Sequence, residues 1–156
     1  MKIVKFSQLD ENELNIIIDK HYNHWKKFND KMDINTTMYK FKELYTKNEI
    51  PYGIAIKEND NLLGFCVIKK ENLKKYPEIF PWISDVMIFE EYRNKGYGRK
   101  LIEETIKILK EENYKNVYIW TDQVPAFYTK LGFEFVKEVQ KNEGGTGLLF
   151  SKDIVQ

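Results

Sequence analysis

The spacing of hydrophobic positions divides the chain into helices and strands. After Asp10, a residue type that favours helix N-termini, apolar residues recur every three or four positions and predict a helix. Residues 52–57 and 62–68 are apolar runs on either side of a polar turn, which predicts a β-hairpin. The run 83–89 is dense in apolar residues and predicts a central strand.

Weaker patterns complete the first half of the chain. Residues 3–6 alternate and predict a short first strand, whereas the polar segment 21–35 predicts a frayed helix end followed by a loop. A second helix is expected from Thr36 or Thr37 through Ile50.

The second half has clearer signals. Residues 99–112 show a strong helical period, and residues 116–121 predict a strand. Residues 125–131 predict a short helix that begins with proline, and 133–139 and 148–153 predict two closing strands. The predicted order, β-α-α-β-β-β-α-β-α-β-β, indicates a mixed α/β fold.

Composition narrows the classes of function. A length of 156 residues suits one domain, so residues 1–156 are expected to form a single one. The net charge of +1 gives no electrostatic support for nucleic-acid binding. No apolar run approaches the roughly 20 residues that a membrane span needs. A single cysteine, Cys66, excludes an intramolecular disulfide, and a cytoplasmic protein is expected.

A glycine-containing turn between the 83–89 strand and the 99–112 helix carries the most chemical information. Its sequence is Arg93-Asn94-Lys95-Gly96-Tyr97-Gly98-Arg99-Lys100. The first N–H groups of a helix have no partner within the helix, and the helix dipole adds about half a positive charge there. Glycines let a ligand approach the backbone, and the cationic side chains surround the same point. The turn is therefore predicted to bind an anion, most naturally a phosphate or pyrophosphate.

Two other nucleotide-binding motifs do not fit this turn. A dinucleotide fingerprint requires a third glycine at the position of Leu101. A P-loop requires glycine at the position of Arg93 and Lys-Ser/Thr in place of Arg99-Lys100. The alternative that stays open is an ordinary strand-to-helix connection with solvated lysines.

Two motifs together resemble a known family. Arg-x-x-Gly-x-Gly at Arg93, Gly96 and Gly98 resembles the acetyl-CoA pyrophosphate motif of the GNAT superfamily of N-acetyltransferases. Downstream, residues 126–133 (AFYTKLGF) resemble a second signature of that family, F-Y-x-K-L-G-F. The resemblance is good over about residues 81–137, while the part of the chain before it matches only in the order of elements.

The resemblance implies a GNAT-like fold with a mixed central sheet of six to seven strands flanked by about four helices. In the family, strands 4 and 5 splay apart and the pantetheine arm of acetyl-CoA lies in the opening. This implies main-chain contacts from Met87 and Ile88 to the pantetheine and the acetyl group. The residues implied to bind the pyrophosphate are Arg93, Asn94, Lys95, Gly96, Tyr97, Gly98, Arg99 and Lys100.

The same resemblance implies catalytic roles. Tyr128 would lie near the sulfur of coenzyme A and protonate the departing thiolate, although packing beside Phe127 is the alternative. Asp85 is the first candidate for the base that takes a proton from the attacking amine, with Glu90 and Asp122 behind it. A solvated or capping carboxylate is the alternative for Asp85, since family members differ in this base.

The remaining candidates concern the cofactor and the acceptor pocket. The family often has an asparagine after its fifth strand that contacts the cofactor, and Gln123 is the candidate substitute here. Trp25, Phe28, Trp82 and Trp120 are candidates for the acceptor pocket, and core packing explains each of them equally well.

The histidines and the cysteine are expected to have no catalytic or metal-binding role. His21 and His24 have no apparent third ligand, so no metal site is expected and a surface position is preferred for both. Cys66 has no histidine or aspartate partner in the pattern and is predicted to be a small buried residue.

The expected activity is transfer of an acetyl group from acetyl-CoA to the primary amine of a small molecule, by direct attack in a ternary complex. The alternatives are a protein N-terminal or lysine acetyltransferase and a catalytically silent CoA-binding module. Tyr128 argues against the silent module, which needs no phenol at that position. A homodimer is a further expectation, because dimers are common in the family.

Overall fold

The computed structural model describes residues 1–155 and has a mixed α/β fold. Its strands are β1 (Lys2–Lys5), β2 (Tyr52–Glu58), β3 (Asn61–Lys69), β4 (Trp82–Ile88), β5 (Asn116–Thr121), β6 (Glu134–Gln140) and β7 (Thr146–Asp153). Its α-helices are α1 (Glu11–Trp25), α2 (Ile34–Tyr39), α3 (Tyr97–Glu111) and α4 (Pro125–Lys130). Short 3₁₀ segments at Phe6–Gln8 and Glu90–Tyr92 and a π-helical turn at Lys40–Leu44 complete the secondary structure.

The seven strands form one mixed sheet in the order β1-β2-β3-β4-β5-β7-β6. Neighbouring strands within β1-β2-β3 and within β5-β7-β6 are antiparallel. Strands β4 and β5 run parallel, and their recorded register pair is Trp82 with Tyr118. The predicted fold class, the order of the elements and the number of strands are therefore confirmed.

The chain forms two compact units. The first contains Met1–Ile68 and Asp85–Glu104, and the second contains Lys69–Ser84 and Thr105–Gln156. Because β4 and α3 each contribute residues to both units, the chain passes from one unit to the other inside regular elements, without a linker. That residues 1–156 act as a single domain stays a prediction.

The core of the first unit is rich in aromatic residues. Phe6, Phe41 and Phe65 are almost completely buried, and each ring centroid lies about 6 Å from the other two. Helix α1 adds its apolar side to this cluster. Asp10 caps α1 by accepting a hydrogen bond from the Glu13 amide at 2.8 Å, and the Glu13 carboxylate accepts one from the Asp10 amide, which confirms the predicted start of α1.

The second helix differs from its prediction. It begins at Ile34, because Asp33 rather than a threonine is the cap and accepts hydrogen bonds from the Asn35 amide and the Thr36 hydroxyl. It ends at Tyr39 in a π-helical turn, well before the predicted end. The predicted cap was wrong, because Asp33 lies in a polar segment where the hydrophobic spacing gives no signal.

The second unit has its own core. Leu73, Trp82, Val139 and Leu149 are buried in one cluster, against which Tyr118 and other half-buried side chains pack. Among residues 1–155, no helix combines the length and the hydrophobicity needed to cross a bilayer.

A close approach of two backbones fixes the end of β4. A Cβ built on Gly64 of β3 would lie 2.2 Å from the Met87 carbonyl oxygen and 2.9 Å from the Ile88 Cα. The Phe89 amide also donates a hydrogen bond of 2.8 Å to the Leu63 carbonyl. Only glycine at position 64 allows β4 to lie this close to β3.

We expect Gly64→Ala to lower the free energy of unfolding by about 1–3 kcal/mol, because the added methyl group meets main-chain atoms that cannot rotate away. Urea unfolding of Gly64→Ala and of the wild type measures this. A Gly64→Ala protein with an unchanged free energy of unfolding would contradict the steric explanation.

Candidate active site

The turn between β4 and α3 has the backbone conformation of an anion-binding nest. Asn94 (φ +64°) and Gly96 (φ +84°) both adopt the left-handed conformation. Alternation of this kind turns successive N–H groups toward one concavity. The amides of residues 94–99 donate to no acceptor within residues 1–155, and the first helical bond here runs from the Lys100 amide to the Gly96 carbonyl at 3.2 Å. A row of unpaired N–H groups therefore lies at the positive end of α3.

The residue types of the turn follow from these φ values. A Cβ on Gly96 would meet nothing within 4 Å, so it is the conformation of the backbone, not a lack of space, that favours glycine. Asparagine at position 94 is among the non-glycine residues that tolerate the left-handed region best. These residue types were visible in the sequence, although the glycines were interpreted there as leaving room for a ligand.

Salt bridges along α3 engage two of the predicted cations. Arg99 lies 3.3 Å from Glu103 and Lys100 lies 2.9 Å from Glu104, and the hydrogen bond that Lys100 donates to Glu104 raises the pKa of Lys100. Lys95 is exposed and forms no recorded ion pair with any residue in 1–155. Of these three side chains, Lys95 is thus the one most available to an anion.

Arg93 and Tyr97 hold the turn to neighbouring elements. The Arg93 Nε donates a hydrogen bond of 2.8 Å to the Ile88 carbonyl at the end of β4. The Tyr97 hydroxyl donates one of 2.6 Å to Glu58 at the end of β2, and this bond raises the pKa of Tyr97. Tyr97 therefore directs its phenol at β2 and leaves its amide, rather than its ring, for the nest.

Asp85 occupies an unusual position in β4. Its φ of +55° is left-handed, which costs about 1–2 kcal/mol for a residue with a Cβ. Strain of this kind clusters at functional sites. Its side chain is 18% exposed, and its Oδ1 lies 3.5 Å from the Nε2 of His21.

The buried position of His21 corrects the sequence analysis, which placed this residue on the surface. His21 is only 7% exposed and stacks on Trp25 and Phe41 at 4.5 and 4.6 Å. It follows Ile17 by four residues and Ile18 by three, so it belongs to the buried face of α1. That spacing was the signal in the sequence, and it was outweighed by the polar residues around it.

Tyr128 lies on the short helix α4 of the second unit. The helix starts with Pro125 and is followed by Gly132 in the left-handed conformation (φ +88°), as predicted. Tyr128 is 7% exposed, and its ring is roughly perpendicular to those of Phe127 and Phe133 at centroid distances of 5.0 and 5.7 Å. Tyr128 is therefore packed against two other aromatic rings.

The segment before α4 is organised by Thr121. Its Oγ1 accepts hydrogen bonds from the amides of Gln123 at 3.2 Å and Val124 at 3.1 Å. Gln123 is exposed, and its contact with a cofactor stays a prediction. Asp122, a lower-ranked candidate base, is 2.7 Å from Lys141, while Glu90 is exposed on a 3₁₀ turn.

The four candidates for the acceptor pocket have different environments. Trp25 is half-buried against His21, and Phe28 is 61% exposed. Trp82 is completely buried in the second core, where its Nε1 has no hydrogen-bond partner among the described residues, and Trp120 is half-buried against the same core. Contact with an acceptor stays a prediction for all four, and for Trp82 the packing already explains the residue.

Two further expectations concern Cys66 and metals. Cys66 is fully buried, as predicted. Within residues 1–155, histidine, cysteine, aspartate and glutamate side chains nowhere cluster in a group of three or more that suits a metal ion.

Comparison with known proteins identifies the family. The model of the acetyltransferase (GNAT) family matches residues 17–133, well over half of the chain. The chain belongs to the GNAT family. The predictions of a GNAT acetyltransferase and of acetyl-CoA as its cofactor are confirmed at the level of the family, and the match begins inside α1, far upstream of the residues that carried the resemblance.

Relatives of this GNAT chain include two prokaryotic proteins. It is 36% identical over 80 residues to an uncharacterized N-acetyltransferase of Chlorobaculum tepidum, a match that spans 51% of this chain and 46% of that protein. It is 29% identical over 114 residues to an N-alpha-acetyltransferase of Saccharolobus solfataricus, spanning 66% of this chain and 68% of that protein.

Solved structures share the fold at low identity. An aminoglycoside 6'-N-acetyltransferase complexed with coenzyme A has a TM-score of 0.80 and 16% identity, covering 100% of this chain and 98% of the other. The aminoglycoside 6'-N-acetyltransferase from Enterococcus faecium has a TM-score of 0.76 and 16% identity with the same coverage. The ribosomal-protein-S18-alanine N-acetyltransferase from Escherichia coli has a TM-score of 0.68 and 14% identity, covering 99% and 94%.

The turn of this GNAT chain fits the diphosphate of coenzyme A. A diphosphate needs several N–H donors directed at one point, and the amides of residues 94–99 supply unpaired donors. The side chains of Lys95 and Arg93 add positive charge to the same segment. We expect these residues to hold the cofactor's anionic part.

We expect Gly96→Ala to weaken coenzyme A binding at least tenfold, because a Cβ disfavours the φ of +84° that directs the amides into the nest. Isothermal titration calorimetry with coenzyme A measures this. The matched control is Gly144→Ala, which makes the same change at another left-handed glycine in an exposed turn. Unchanged affinity in a folded Gly96→Ala protein would contradict the assignment of the nest.

The pKa of His24 depends on the charge of Arg93. Burial lowers the pKa of His24 below its usual 6.5, and the positive charges of Arg93 and Lys27 lower it further. A depressed histidine pKa means that the folded state disfavours the imidazolium. The related contribution to stability is therefore present above pH 6.5 and is lost as the pH falls through the folded-state pKa.

We expect Arg93→Met to raise the pKa of His24, because one of the repelling charges is removed. Proton NMR titration of the imidazole measures this. Lys110→Met, at the far end of α3, is the control with the same loss of one charge. Equal titration curves for His24 in wild type and Arg93→Met would show that the Arg93 side chain does not lie near His24 in solution.

Proposed function

We propose that this chain transfers the acetyl group of acetyl-CoA to the primary amine of a small molecule, by direct attack in a ternary complex. The observation that carries the proposal is the row of unpaired amides at the start of α3, in a chain of the GNAT family. A small acceptor is supported by the fold, which is shared over almost the whole length with aminoglycoside acetyltransferases. A reaction in the cytoplasm and a homodimer belong to the same proposal.

In this proposal, Asp85 and Tyr128 each carry out one of two proton transfers. When bound, acetyl-CoA supplies a thioester carbonyl that a neutral amine can attack. Asp85 accepts the proton that the amine loses, since a carboxylate can act directly or through one water molecule. Tyr128 donates its phenolic proton to the departing sulfur, and the packing of its ring against Phe127 and Phe133 supports a fixed position for this donor.

A protein N-terminus is the second candidate acceptor. Its support is the match to the Saccharolobus N-alpha-acetyltransferase, which covers about two thirds of both chains. Release of the CoA thiol, measured with a panel of small amines and of short peptides with free N-termini, separates the two candidates. A protein that binds acetyl-CoA and releases no thiol with any amine would instead be the silent CoA-binding module.

We expect Tyr128→Phe to lower kcat by a factor of about 10²–10⁴, the usual contribution of a general acid, while the affinity for coenzyme A changes little. Stopped-time assays of thiol release and calorimetry measure the two quantities. Tyr39→Phe is the matched control, because Tyr39 is 60% exposed on α2. Full activity of Tyr128→Phe would show that Tyr128 packs against its neighbours and is not the general acid.

We expect Asp85→Asn to lower the rate mainly at low pH. There the amine is largely protonated and needs a base, whereas at high pH it is already neutral. The dependence of kcat/KM on pH measures this, with Asp60→Asn in the exposed β2–β3 turn as control. A pH–rate profile equal to that of the wild type would remove Asp85 from the mechanism.

A further inference from the structure

The His21–Asp85 contact carries an inference beyond the roles just proposed, and it rests on the proposed function of Asp85. His21 comes from α1 and Asp85 from β4, and the Nε2 and Oδ1 atoms lie 3.5 Å apart. Both side chains are largely withdrawn from water, with exposures of 9% and 18%. A carboxylate and an imidazole in this setting interact more strongly than they would in bulk solvent.

The surroundings of His21 favour one of the two tautomers of its neutral ring. Its Nδ1 is buried and has no hydrogen-bond partner among residues 1–155. A proton on Nδ1 would therefore be an unsatisfied buried donor, whereas a proton on Nε2 faces the Asp85 carboxylate. The ring packs against Trp25, Phe41 and Phe65, none of which carries a charge. The neutral tautomer with its proton on Nε2 is the one that this environment accommodates best.

His24, on the same helix, is a titratable group that is electrostatically coupled to His21, and the cations Arg93 and Lys27 act on His24. Asp85 is thus the carboxylate recorded against the imidazole, and it is held there in a left-handed backbone conformation. A strained residue whose side chain faces a buried histidine indicates a geometry that the fold maintains.

We infer that His21 is a positioning residue for Asp85. Its Nε2–H orients the carboxylate, so that Asp85 can accept the proton of the acceptor amine. In this step an N–H bond of the amine breaks, an O–H bond forms on Asp85, and His21 keeps its own proton. Asp85 returns the proton to solvent before the next turnover. The arrangement resembles other acid–base sites, in which a third group orients the residue that moves the proton.

The first test needs no turnover. Nitrogen-15 NMR of the His21 ring in its neutral form distinguishes the protonated from the unprotonated nitrogen. We expect a protonated Nε2 and an unprotonated Nδ1. A proton on Nδ1 alone would overturn the inference, because Nε2 could then not donate to Asp85. This outcome is independent of whether the protein transfers acetyl groups, so it separates a failure of this inference from a failure of the proposed function.

The second test uses activity. We expect His21→Gln to lower kcat about tenfold and to shift the acidic limb of the pH–rate profile, while KM for the amine changes little. His24→Gln, three residues along the same helix, is the matched control and should leave that limb unchanged. If His21→Gln does not fold, His21→Phe, which keeps an aromatic ring in the aromatic pocket, replaces it.

A double-mutant cycle completes the test. If His21 acts through Asp85, then adding His21→Gln to Asp85→Asn should lower kcat by less than twofold more. Independent effects that multiply in the double variant would overturn the inference, as would a pH–rate profile of His21→Gln identical to that of the wild type. A wild-type protein inactive with every amine would refute the proposed function itself, and the NMR result would still decide whether the pair exists.

Discussion

Unpaired main-chain N–H groups at the start of α3 are the constraint on which the rest of the site depends. They exist because the first N–H groups of a helix have no partner within it, and the turn before α3, in which Asn94 and Gly96 are left-handed, closes no hydrogen bond to them. Such groups are costly when buried without a partner, so a turn of this kind persists where water or an anion satisfies them. Contacts with neighbouring elements hold the turn in place. The Gly64 contact fixes β4 before the turn, and the Arg93–Ile88 hydrogen bond ties the turn back to that strand.

The parts of the fold that the sequence predicts well are those decided by local physics. The Asp10 cap, the β2–β3 hairpin, the β5 strand and the proline-initiated α4 all depend on residues within a few positions of one another. The nest is local as well, because two left-handed positions and one helix start lie within a few residues. For the same reason the family motif could be recognised in a stretch of eight residues, although most of the family match lies outside it.

The parts that could not be predicted depend on contacts between distant residues. His21 looked like a surface residue because its polar neighbours dominate the local pattern, and only the packing of α1 against Phe41 and Phe65 buries it. The burial of Trp82 likewise follows from the core of the second unit. The pairing of Arg99 with Glu103 and of Lys100 with Glu104 is an exception, because each pair is four residues apart on α3 and was a local signal in the sequence.

The cofactor is easier to assign than the acceptor, because the main chain is expected to bind the cofactor whereas side chains select the acceptor. A site that binds with backbone amides requires a conformation, which many sequences can supply, and solved GNAT-fold structures with 16% identity cover the whole chain at TM-scores of 0.76–0.80. An acceptor, in contrast, is selected by side chains, which the fold leaves free to vary. Fold similarity at this level therefore does not identify the amine. The chemistry common to all acceptors, removal of one proton from nitrogen, falls to Asp85 in the proposed mechanism, and the contact that would orient this carboxylate comes from α1.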